Sequence, residues 1–195
     1  MKYRADIDGL RAIAVIAVIA GHAFEGAFPG GYLGVDIFFV ISGFVITHSL
    51  LARGGVSFGS FFAAFSLRRI KRLLPALLVC IFLTCVVLLF VDSAPKVSLT
   101  TGALALFGSS NFYLYFQELD YFSPSIKYNA FTHTWSLGVE EQFYLIFPVI
   151  FWFAFKPSQG RNTQAFLRVI LAISAMSLVG FTLLQVNAPM AAYYM

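Results

Sequence analysis

The sequence predicts an all-α protein, a polytopic transmembrane helix bundle, from three observations. Of its 195 residues 59% are hydrophobic and only 11% charged, where about a quarter of a soluble domain is charged. The mean hydropathy is +0.83. Apolar stretches near the ~20 residues a bilayer demands recur along the chain, with Pro, Gly and basic residues between them.

The hydropathy pattern places helices at 9–28, 32–51, 73–91, 134–155 and 164–185. Pro29-Gly30-Gly31 turns the first pair tightly, making them antiparallel neighbours. Residues 53–72 read as a polar connection ending in Arg68, Arg69, Lys71 and Arg72, with Pro75 in the first turn of the next helix. With Arg53, that cluster marks the cytoplasmic side, which puts the N-terminus there too. Lys156, Arg161 and Arg168 mark a second cytoplasmic loop. Segment 99–116 is apolar but carries Thr100, Thr101, Gly102, Gly108, Ser109, Ser110 and Asn111. A full crossing there would put the second basic loop outside, so a re-entrant or interfacial segment is favoured, in a count of five or six spans.

A cleaved signal peptide fits poorly: Lys2 and Arg4 precede an apolar core, but Asp6, Asp8 and Arg11 interrupt the pattern and no small-residue cleavage site follows Ala20. Cys80 and Cys85 point about 140° apart on one helix and cannot bridge. Three His and no Cys-x-x-Cys suggest no metal site. Residues 1–195 are expected to be a single membrane domain with no soluble domain, ending soon after the last span, at Tyr193-Tyr194-Met195, as an incomplete bundle.

Ionisable groups inside such a bundle are costly and face a cavity or a partner. Arg11 and His22 share one helix face, roughly 16 Å apart at ~1.5 Å per residue. Asp36 is expected at the depth of His22, where a carboxylate would fix the imidazole tautomer and make it a general base. Glu25 is a rival partner, and a His that merely hydrogen-bonds a neighbouring helix is the structural alternative. Arg68, Arg69 and Arg72 are either a snorkelling membrane anchor or a phosphate clamp, Arg69 and Arg72 presenting two guanidinium forks three residues apart. Glu140 and Glu141 suit a helix start, yet consecutive side chains diverge by about 100°, so one should point inward. Trp135 and Tyr144 suit an aromatic belt. Ser42-Gly43 suits close helix packing.

Together the segments IDGLRAIAVIAVIAGHAF, GGYLGVDIFFVISGFVIT, FSLRRIKRLLPALL and FTHTWSLGVEEQFYLIFPV, in this order over residues 7–149, resemble the acyltransferase 3 family of membrane O-acyltransferases. The resemblance implies a bacterial inner-membrane enzyme that moves an acyl group, commonly acetyl, from acyl-CoA to a hydroxyl of a cell-envelope glycan or related molecule. It implies that Arg11 and His22 are an essential pair and that Arg69 and Arg72 are donor-side groups. It adds Trp135, Ser136 and Glu140 or Glu141 to the site; Ser42 joins from the second motif. Family members carry further spans, some with an appended extracytoplasmic hydrolase-like domain, so the chain corresponds to about the first half of the membrane module.

The scheme these residues suggest has acyl-CoA phosphates on the basic cluster, the thioester near Arg11, and His22, oriented by Asp36, deprotonating the acceptor hydroxyl. Two alternatives compete with it. One is a proton-coupled transporter or flippase using His22, Asp36 and Arg11. The other is a non-catalytic fragment that needs a protein partner for the missing helices.

Overall fold

Helices account for all the regular secondary structure in the computed structural model, which describes residues 4–24, 27–51, 57–120, 128–154 and 163–194. The helices are α1 (Ala5–Ala23), α2 (Leu33–Leu51), α3 (Phe58–Val91), α4 (Lys96–Ala105), α5 (Ser110–Leu119), α6 (Thr134–Ala154), α7 (Thr163–Asn187) and α8 (Pro189–Tyr194). Among the described residues three segments are long and apolar enough to cross a membrane: Leu33–Leu51, Phe58–Val91 and Phe166–Asn187. Helices α1 and α6 have spanning length, but Asp6, Asp8 and Arg11 in one and Glu140-Glu141-Gln142 in the other make them more polar. Glu25, Lys2, Arg53, Lys156 and Arg161 lie outside the described residues.

The chain forms two compact units, Met1–Gly55 and Val56–Met195. In the first, α1 packs along α2. Glycine makes that packing close: a Cβ on Gly31 would stand 2.6 Å from the Ala17 carbonyl oxygen, and one on Gly34 2.5 Å from that of Ala14. A Cβ on Gly21 would reach Gly31 Cα at 2.9 Å. Small residues that let backbones touch are the usual means of helix association where lipid removes the hydrophobic driving force. Gly43, expected to do this with Ser42, has nothing within 4 Å of where its Cβ would be.

In the second unit α3 differs from expectation. Residues 58–72 are not a loop; they extend the helix without interruption, so Pro75 lies in its interior. At ~1.5 Å per residue its 34 residues run about 51 Å, well beyond a ~30 Å hydrocarbon core. Buried Phe61 and Phe65, one turn apart, explain the extension. Phe61 stacks on Phe151 of α6 (6.4 Å between centroids, 9° between planes) and meets Trp152 at 5.2 Å. These contacts offset a cost of ~3 kcal/mol for an interior proline.

The 99–116 region is two helices of ten residues each. Each is about 15 Å long, half the hydrocarbon thickness. Gly108, at φ +62°, makes the break between them, a conformation that glycine adopts at little cost. Asn129 binds the turn before α6 to α4, donating to Thr101 Oγ1 at 2.7 Å while its own Oδ1 accepts from the Phe131 amide at 3.0 Å. Cys80 and Cys85 are free thiols.

Candidate active-site residues

In the N-terminal unit, His22 follows directly on Gly21, at the close approach of α1 to the turn before α2. Its Nδ1 lies 2.8 Å from the Val18 carbonyl oxygen one turn back. A carbonyl only accepts, so this contact requires the proton on Nδ1 and leaves Nε2 as the basic nitrogen. The tautomer that Asp36 was expected to set is therefore set by the helix itself. Asp36 is exposed in the first turn of α2 and has no hydrogen bond or ion pair to any described residue. Arg11 pairs with Asp8 across one turn (Nη1 to Oδ1, 3.4 Å), and both are partly exposed. Asp8 was missed as a partner because carboxylates near a helix start are ordinary; the three-residue spacing to Arg11 was the available signal. Ser42 is half-buried on α2.

In the C-terminal unit, a cavity of about 440 Å³ lies among α3, the α4–α5 break and α6. Its polar lining includes Ser66, Arg69, Ser109, Glu141 and Gln142, and the rest is largely Leu, Ile, Phe and Tyr144. The Ser66 hydroxyl is buried behind this lining without a hydrogen-bond partner among the described residues. An unpaired buried hydroxyl costs roughly 1–3 kcal/mol.

The basic cluster is divided by its surroundings. Arg69 is half-buried, its guanidinium carbon 5.3 Å from the Tyr144 ring centroid and 5.6 Å from that of Phe65. Arg68 and Arg72 are exposed and do not line the cavity, so Arg69 and Arg72 do not present a joint fork to it.

Glu140 and Glu141 diverge as neighbours on a helix must. Glu140 accepts a hydrogen bond from the Tyr144 hydroxyl at 3.0 Å. Glu141 lines the cavity and packs against Gly108, where an added Cβ would come within 2.5 Å of Oε2. Tyr144 is buried rather than part of an aromatic belt. Gln142 donates from Nε2 to the Gly108 carbonyl (3.0 Å) and to Asn111 Oδ1 (2.9 Å). Asn111 in turn donates to the Tyr194 carbonyl at 3.1 Å. Trp135 packs on Tyr193 (4.8 Å) and Tyr194 (6.3 Å), and Ser136 donates to the His133 carbonyl at 3.3 Å. Asn111 and Gln142 were missed because their hydrogen bonds cross long stretches of chain, and Ser66 because the cavity it borders forms only when the helices pack.

Residues 4–195 match the acyltransferase domain family, nearly the whole sequence. The chain belongs to the acyltransferase 3 family. Among curated members of this acyltransferase family, it is 37% identical to peptidoglycan O-acetyltransferase OatA of Listeria monocytogenes over 99% of its own length and 31% of that protein's. It is 40% identical to O-acetyltransferase OatA of Staphylococcus aureus over 89% of its length and 29% of the relative's. It is 41% identical to the putative peptidoglycan O-acetyltransferase YrhL of Bacillus subtilis over 76% and 24%. The chain thus spans less than a third of the curated acyltransferases it matches. No solved structure matches it.

Proposed function

We propose that this chain is the N-terminal part of a membrane-bound O-acyltransferase that moves an acyl group, acetyl by the names of its relatives, to a hydroxyl of a cell-envelope glycan. Peptidoglycan is the acceptor class those names suggest. The observation that carries the reaction chemistry is the His22 imidazole with Nδ1 held on the Val18 carbonyl, which leaves Nε2 to accept a proton. Nε2 takes the acceptor hydroxyl's proton as that oxygen forms its bond to the acyl carbon, and returns it to the departing group as the donor's acyl bond breaks. Arg11, steadied by Asp8 and roughly 16 Å along α1 from His22, neutralises negative charge on a part of the donor away from the reacting carbonyl.

The donor we assign is acyl-CoA, on the strength of Arg69 in its cavity and the exposed Arg68 and Arg72; no relative's name specifies a donor. Asp36, Ser42, Trp135, Ser136, Glu140 and Glu141 complete the proposed set. The same proposal includes five or six spans, a single membrane domain over 1–195, residence in the bacterial inner membrane and a cytoplasmic N-terminus.

The decisive test is His22→Ala in the intact protein in cells, with O-acetyl content of the envelope glycan measured by mass spectrometry. Acetylation should fall at least about 100-fold, the scale of a lost general base, while membrane insertion is retained. Acetylation near wild type removes His22 from the chemistry.

A further inference from the structure

Two consecutive carboxylates in the second turn of α6 could do the same job or two different ones, and their contacts separate them. Glu140 does not line the cavity; its Oε2 accepts a 3.0 Å hydrogen bond from the Tyr144 hydroxyl. The ring of Tyr144 does line it, with the Arg69 guanidinium 5.3 Å from the ring centroid. Glu141, one residue on, lies in the cavity wall itself.

We infer that Glu140 is a positioning residue: through Tyr144 it fixes Arg69 at the cavity, and Glu141 is the carboxylate of the pair that meets the ligand. This rests on the proposal that Arg69 contacts the acyl donor. A phenol that donates to a carboxylate gains electron density in its ring. It therefore holds a guanidinium more strongly, since the attraction comes from the ring's negative face. The hydrogen bond also fixes the ring's rotation, so the guanidinium has one seat. Tyr144 itself is buried, which limits competition from water for its contacts. Phe65, one turn before Arg69 on α3, is a second ring within 5.6 Å and keeps the side chain from swinging away.

The test uses the intact protein in membrane vesicles, with acetyl-CoA as the varied substrate and acetylated glycan as the product. Glu140→Ala and Tyr144→Phe should each raise KM for acetyl-CoA about five- to tenfold, with a smaller fall in kcat. The double variant should be no worse than the worse single, because both act through one hydrogen bond. Glu140→Gln keeps an oxygen acceptor and should restore KM to within about twofold. Glu141→Gln should lower kcat as well.

Additive effects of E140A and Y144F, or an E140Q variant as damaged as E140A, overturn the inference. Arg69→Ala separates its failure from that of the donor assignment. If R69A raises KM while E140A and Y144F do not, only the positioning role falls. If R69A leaves KM for acetyl-CoA at its original value, the donor assignment falls and takes the inference with it. Labelling of Arg69 by phenylglyoxal, read by mass spectrometry on the folded fraction, is independent of turnover. Tyr144→Leu should speed it severalfold, and an unchanged rate also counts against the inference.

Discussion

The two units of this chain solve the same problem differently. The N-terminal pair, α1 and α2, is joined backbone to backbone at Gly21, Gly31 and Gly34, and its ionisable groups stay at least partly exposed. The C-terminal unit joins its helices through side chains. Ser110 donates to the Thr134 carbonyl at 2.8 Å, Asn129 to Thr101, Asn111 to the Tyr194 carbonyl, and Gln142 to both Gly108 and Asn111. Glycine contact needs only that nothing be in the way. A buried polar network needs every member satisfied, and it fixes one arrangement. The unit with the network is also the one that builds a cavity, while the unit with glycine contacts presents His22 at its surface.

The largest effect on this contrast should come from Gly31→Ala. The new methyl would lie 2.6 Å from the Ala17 carbonyl oxygen and from Gly21 Cα, so α1 and α2 must separate. A cost of about 1–3 kcal/mol is expected from such overpacking, read as a lower unfolding midpoint of the intact protein in detergent. Gly43→Ala is the matched control, since it meets nothing and removes a helix-interior glycine. If both variants unfold alike, close glycine contact is not what joins the pair.

Gln142→Ala should come next. It strips the Gly108 carbonyl and Asn111 Oδ1 of a shared donor, worth about 1–2 kcal/mol. Hydrogen exchange should quicken in α5 and α8 and stay as it is in α1 and α2. Faster exchange throughout would mean that the polar network is not confined to the C-terminal unit.

The smallest effect concerns Asp6, which precedes the first apolar stretch. Its hydrogen bond from Arg4, and then the Arg4 charge, hold its carboxyl at about 2. A depressed folded value contributes stability above the ordinary carboxylate range and loses it as pH falls towards 2. Both side chains are exposed, so the contribution is small and weakened by salt. Arg4→Ala should return Asp6 to the ordinary 3.8 in an NMR titration. A value that stays near 2 would point to the helix N-terminus as the cause instead.

Much of the architecture was legible locally. The turn at Pro29-Gly30-Gly31 and the apolar runs behind α2 and α7 rest on residue type and spacing alone. The unbroken α3 was not. A basic, glycine-flanked stretch ending near a proline looks like a loop until Phe61 and Phe65 find Phe151 and Trp152 of α6. The partner of His22 was misplaced for a similar reason. Depth matching pointed to Asp36, but a ring whose own helix offers a carbonyl at 2.8 Å needs no neighbour.

By itself the sequence determined an apolar, helical chain, its membrane setting and its family, because hydropathy and motif order are properties of residues taken in line. Only the tertiary structure decided that Arg69 enters a cavity while Arg72 stays outside, and that Glu140 turns to Tyr144 while Glu141 faces the cavity. Each choice depends on what a distant helix brings within a few ångströms, and residue spacing along one helix does not contain that.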